Sequence, residues 1–199
     1  NLIEKSWIIT SNYKYGISEE IFKEFNIDLA NNYTLIEIFE HQITDIKFYN
    51  YPCGRLDVMP IIDINKIIES EINDFKPQTV LTHSEFDNNN DHKIVYRSTM
   101  MATRPGIFKG LNKVISYEIP SSTDWQFLPT SNQFVPTLFV DISVTLDRKR
   151  SALRAYESEL RPWPHSRSIR AIDHLSHWRG ASVGLETAEA FSVARLLVR

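Results

Sequence analysis

The chain has 199 residues, 42% hydrophobic and 24% charged, the composition of one ordinary globular domain with enough apolar residues for a sizeable core. Its net charge of -3 is split, with 9 Lys/Arg against 16 Asp/Glu in residues 1–100 and 13 against 9 beyond, which excludes the clustered basic face of a dedicated nucleic-acid binder. No run reaches the roughly 20 apolar residues of a membrane helix, residues 1–5 lack a secretory leader pattern, and the single Cys53 excludes an internal disulfide, so a cytoplasmic protein is expected.

Residues 7–12, Trp7-Ile8-Ile9-Thr10-Ser11-Asn12, read as a buried strand ending in a turn. Ser18 suits the cap of a helix over 19–25, with acids in its first turn, and a second helical stretch covers 34–43. Residues 46–49 look like the next strand. They lead into Tyr51-Pro52-Cys53-Gly54-Arg55-Leu56-Asp57, a loop carrying both a cation and a carboxylate. Ile61, Ile64, Ile68, Ile72 and Phe75 recur at three- and four-residue spacing, which predicts a helix that Lys76-Pro77 ends.

A short strand over 79–82 then enters the stretch Leu81-Thr82-His83-Ser84-Glu85-Phe86-Asp87-Asn88-Asn89-Asn90-Asp91-His92. Two histidines, two aspartates and three asparagines fall between a strand and a helix expected from Lys93 to about Thr103. In an open α/β sheet, ligands bind at such strand-to-helix loops, and imidazole and carboxylate are ordinary zinc ligands. A polar turn whose Asp and Asn cap the next helix suits the same residues, and spacing alone leaves both readings open.

Residues 113–119 alternate like a strand, and 120–142 are rich in Pro, Ser, Thr and aromatics, as loops and short strands over one sheet edge would be. From Val144 the pattern turns helical, with Leu146, Leu153, Tyr156 and Leu160 on one face. Arg161-Pro162-Trp163-Pro164-His165 breaks it, and two more helices are expected over 168–178 and 185–196, split by Gly180 and Gly184. The order of strands and helices predicts a single α/β domain with a Rossmann-like, mostly parallel sheet covered by helices on both faces.

Several blocks in order resemble the LmbE-like, or PIG-L, family of zinc-dependent N-deacetylases. They are Gly54-Arg55-Leu56-Asp57, Thr82-His83 with Asp87-Asn88-Asn89-Asn90-Asp91-His92, Pro120-Ser121-Ser122-Thr123-Asp124-Trp125 and Phe139-Val140-Asp141-Ile142-Ser143. Ala155-Tyr156-Glu157-Ser158-Glu159-Leu160-Arg161-Pro162, Pro164-His165-Ser166-Arg167-Ser168, Arg179-Gly180 and Ala188-Glu189-Ala190-Phe191 complete the series, from Trp7 onward across nearly the whole chain. The resemblance implies a hydrolase that removes the acetyl group of an acetamido sugar, free or nucleotide- or lipid-linked, with a homo-oligomeric state left open.

By that resemblance His92 is a zinc ligand, Asp91 holds the loop or orients the imidazole, and Asn89 stands where many relatives place a histidine that polarises the carbonyl. His83 or His165 is then the candidate proton carrier, and Arg55, Asp57, Asp87, His165 and Arg167 are the candidate sugar contacts. His41, His174 and His177 fall in helical stretches and receive no role. The family's opening strand ends in Ala-His-Pro-Asp-Asp-Glu, which supplies two zinc ligands and the general base, and that segment does not occur here. A catalytic zinc needs three protein ligands. The chain resembles the family from its second strand, so an N-terminally incomplete domain over 1–199 is expected, with the remaining ligands outside it. Loss of a central strand would otherwise leave unpaired edges in mid-sheet. The alternative is a non-catalytic carbohydrate-binding or scaffold relative. A nucleotide-binding module ranks last, because no G-x-G-x-x-G occurs.

Overall fold

The computed structural model describes residues 6–8, 47, 49, 51, 53–127 and 132–198. The helices expected over 19–25 and 34–43 lie outside these residues, as do Ile46 and Phe48. Lys47 and Tyr49, the described part of the expected 46–49 strand, belong to no strand.

Among the described residues five strands form one sheet in the order β1 (Ser6–Ile8), β2 (Thr79–Thr82), β3 (Lys113–Tyr117), β5 (Ala188–Leu196), β4 (Leu138–Asp141). The first three run parallel, with Ile8 opposite Leu81 and Leu81 opposite Ile115. β5 runs antiparallel to both β3 and β4, so the sheet is mixed and mostly parallel. β1 is hydrogen-bonded directly to β2.

Helix α1 (Ile61–Phe75) presents Ile64, Ile68 and Ile72 to the core. Lys76 closes it in the left-handed conformation. Helix α2 (Asn90–Ala102) starts three residues earlier than the pattern suggested, so Asp91 and His92 belong to its first turn. These two helices pack through Ile64, Ile68, Ile72, Val95 and Ala102 on the face of the sheet that carries Val80 and Val114. Their alternate neighbours Leu81 and Ile115 join Tyr117, Ile119 and Phe191 on the other face. Four consecutive residues of β3 are buried, which is why its polar–apolar alternation signals nothing about solvent.

Helices α3 (Leu146–Ala155) and α4 (Ile169–Ala181) meet through Leu153 and Ile172. Lys149 of α3 pairs with Glu189, whose side chain points to the same face as Phe191 two residues on. Helices therefore cover both faces.

The helix expected over 185–196 is corrected to strand β5. Ala, Glu and Leu favour helix, but propensity is a weak determinant, and the slot between β3 and β4 supplies two ladders of hydrogen bonds and buries Ala188 to Phe191 on both faces. Gly180 allows α4 to approach that strand: a Cβ there would stand 2.7 Å from Thr187 Cα and 2.8 Å from Leu185 O. Among the described residues no helix is long and apolar enough to cross a membrane.

Candidate functional site

β1, β2 and β3 end on the same side of the sheet, and the loops after β2 and β3 meet there. The first is folded by its own short polar side chains. Ser84 Oγ accepts from Phe86 N (3.1 Å), Asp87 Oδ1 from Asn89 N (2.8 Å), and Asn89 Oδ1 from Asp91 N (2.9 Å). Asn89 is thus the N-cap of α2. The Asp91 carboxylate accepts from Gly54 N (2.5 Å) and Leu56 N (3.1 Å), tying the 53–57 loop to the helix start. No bond from Asp91 to the His92 ring is present among the described residues.

The loop after β3 turns sharply at Ser121, which adopts φ 65°, a left-handed conformation uncommon for a residue with a Cβ. Asn88 N donates to Ser122 O (3.1 Å), joining the two loops. The turn presents two hydroxyls to Asp87, which is fully buried. Ser122 Oγ donates to Asp87 Oδ1, and Thr123 Oγ1 to Asp87 Oδ2 at 3.0 Å. His92 Nδ1 lies 3.1 Å from Asp87 Oδ2 and 3.4 Å from Ser122 Oγ.

Burial pushes the Asp87 carboxyl up, but His92, Ser122 and Asn89 N outweigh it and hold the group below the usual carboxylate range. An ionised carboxylate only accepts, so the proton of a neutral His92 belongs on Nδ1. Its lone pair then sits on Nε2. That atom is buried and meets no hydrogen-bond partner among the described residues. A buried imidazole held by a carboxylate at one nitrogen, with the other left bare, is the arrangement of a histidine metal ligand. His92 therefore fits zinc as one ligand. Among the described residues no group of three or more His, Cys, Asp or Glu could hold a metal.

His83 stacks on His92 with ring centroids 3.9 Å apart and planes at 3°, and meets Tyr117 edge-on at 5.2 Å. It is wholly buried, and burial together with the neighbouring His92 pushes its pKa well below that of an ordinary imidazole. His83 is thus packed between His92 and Tyr117 in the interior.

Asp87 also departs from its expected place, being interior rather than open to a sugar. Arg55 and Asp57 are exposed on the loop that Asp91 anchors. Cys53 stands near it, its thiol pushed up by burial and by the carboxylates of Asp91 and Glu159. His165 and Arg167 are half-buried: Arg167 N donates to His165 Nδ1 (3.0 Å), and the guanidinium pairs with Glu159 (2.5 Å). Trp125, two residues beyond Thr123, meets the His165 ring edge-on at 5.1 Å. The 53–57 loop, the start of α2, the 120–125 turn and the 159–167 segment are thereby linked. Sequence reasoning assigned no role to Ser122 and Thr123; the available signal was a run of small hydroxyl residues directly after a buried strand.

No protein-family model and no curated protein matches the sequence. Solved structures do resemble it. The conserved protein TT1542 from Thermus thermophilus superposes with a TM-score of 0.55 at 20% identity, over 75% of this chain and 65% of that one. The chain shares its fold. GalB, the 4-carboxy-2-hydroxymuconate hydratase from Pseudomonas putida KT2440, gives 0.51 at 18% identity, over 69% of this chain and 60% of GalB. The N,N'-diacetylchitobiose deacetylase from Pyrococcus horikoshii gives 0.51 at 16% identity, over 73% of this chain and 55% of the deacetylase. The chain thus spans 55–65% of the length of these structures. A hydratase and a deacetylase on one fold show that the reaction is decided by the site.

Proposed function

We propose that this chain forms the site of a zinc-dependent N-deacetylase of the LmbE/PIG-L type, acting on an acetamido sugar. The observation that supports it most is the bare Nε2 of His92, buried beside the ends of the parallel strands with Nδ1 held by Asp87. Zinc, when bound, supplies a water acidic enough to attack an amide at neutral pH and polarises the acyl oxygen. His92 would hold it, with further ligands from beyond the described residues.

The chain's own groups have distinct tasks in this reading. Asp87 orients the His92 ring. Asn89 uses its Oδ1 on Asp91 N, which leaves its exposed amide N–H to donate to the acyl oxygen. His165 accepts from Arg167 N at Nδ1, so its proton sits on Nε2, where it can donate a hydrogen bond to the sugar. Arg55 and Asp57, on the loop fixed by Asp91, offer a cation and an acceptor to sugar hydroxyls. The test is zinc content and amine release from N-acetylated sugars, with wild type compared to His92→Ala. Release that survives this substitution sinks the proposal.

One observation favours a second reading, a sugar-binding relative without catalysis. β1 lies directly beside β2, and the residues that follow it, Ile9-Thr10-Ser11-Asn12, include no histidine or carboxylate. Sugar binding indifferent to a chelator, with no zinc taken up, would select this reading.

A further inference from the structure

We infer that Ser122 and Thr123 are positioning residues for His92, acting through Asp87. The metal in this inference rests on the deacetylase reading; the arrangement of hydroxyls, carboxylate and imidazole does not.

An aspartate bonded only to an imidazole can swing about its last torsion and carry the ring with it. Here each oxygen is pinned separately: Oδ1 by Ser122 Oγ and Asn89 N, Oδ2 by Thr123 Oγ1 and His92 Nδ1. The carboxylate plane is therefore fixed. The His83 ring, parallel to His92 at 3.9 Å, blocks the remaining tilt. Thr123 Oγ1 is itself held, accepting from Ile119 N at 2.8 Å, so the clamp is anchored in the chain just beyond β3. Both clamping groups are neutral. A lysine in their place would hold Asp87 equally well but cancel the charge that makes His92 a better donor. Two hydroxyls fix the geometry and leave the charge to the imidazole.

The inference is tested on the full chain with Ser122→Ala, Thr123→Val and the double variant, beside the conservative Ser122→Thr and Thr123→Ser. The first readout is the nitrogen NMR signals of the His92 ring in metal-free protein, which report where its proton sits. The second is Zn²⁺ affinity by competition titration. Wild type is expected to show one tautomer, protonated on Nδ1. The double variant is expected to show a mixture of tautomers and about 10–100-fold weaker Zn²⁺ binding, which the conservative variants restore. A double variant with a single unchanged tautomer and wild-type affinity overturns the inference. If that variant does not fold, Ser122→Ala alone carries the same two outcomes. Zn²⁺ binding that ignores His92→Ala would refute the deacetylase reading instead, and the NMR signals then decide the positioning role by themselves.

Discussion

Asp87→Asn is the sharpest perturbation of this site, because it preserves shape while removing one charge and one acceptor. The backbone N–H of Asn89 cannot reverse, so the amide oxygen must stay at the Oδ1 position, 2.8 Å from it. The amide nitrogen then occupies the Oδ2 position, 3.0 Å from Thr123 Oγ1 and 3.1 Å from His92 Nδ1. It donates to Nδ1, which must become the acceptor, and the imidazole proton moves to Nε2. The bonds from Asn89 N and Ser122 fall from charge-assisted to neutral strength, a loss of about 1 kcal/mol each. Relief from burying a carboxylate offsets part of this. A net destabilisation of about 1 kcal/mol is expected, close to a 5-fold loss in the folding constant. Urea unfolding measures it, and nitrogen NMR of His92 reads the tautomer. An unchanged unfolding midpoint with the proton still on Nδ1 would refute the assigned hydrogen-bond polarity.

Gly180→Ala forces a methyl against the backbone at Thr187 and Leu185, 2.7–2.8 Å away, and should cost about 1–3 kcal/mol of stability in a denaturant titration. Lys149→Met leaves the buried Glu189 without its cation, at a cost of about 3–5 kcal/mol; adding Glu189→Leu should recover most of that loss, and thermal unfolding of the two variants compares them. Tyr49 has its pKa raised from 10.0 to about 12 by burial, by its bond to Glu71 and by the Glu71 charge. A raised pKa favours the neutral phenol in the folded state, so its contribution is complete below pH 10 and disappears as pH rises from 10 through 12. Tyr49→Phe should therefore flatten the alkaline fall of the unfolding midpoint. An identical fall in both proteins would exclude the Tyr49–Glu71 linkage.

Much of the architecture was legible from local pattern. The isoleucine stripe of α1, the strand over 79–82 and the helix after it were set by periodicity and by short polar side chains that satisfy their own backbone. The polar stretch before His92 was legible as a turn or a helix cap, but the start of α2 was not, because it depends on which short polar side chain takes the cap, and Asn89 does. β5 was not. Ala188-Glu189-Ala190 reads as helix because its residue types favour one, and only the neighbours β3 and β4, with partners 47 to 83 residues away in sequence, supply the hydrogen bonds that overrule them.

The sequence by itself determined which groups could do chemistry: an Asp-rich, His-ending stretch that follows a short strand. Tertiary structure alone decided their roles. Asp87 is turned inward onto His92, 35 and 36 residues of chain bring Ser122 and Thr123 to it, and Asp91 turns away to hold Gly54 and Leu56. Hydrogen-bond direction and burial, which fix the tautomer of an imidazole, depend on contacts between distant segments, and local spacing carries no record of them.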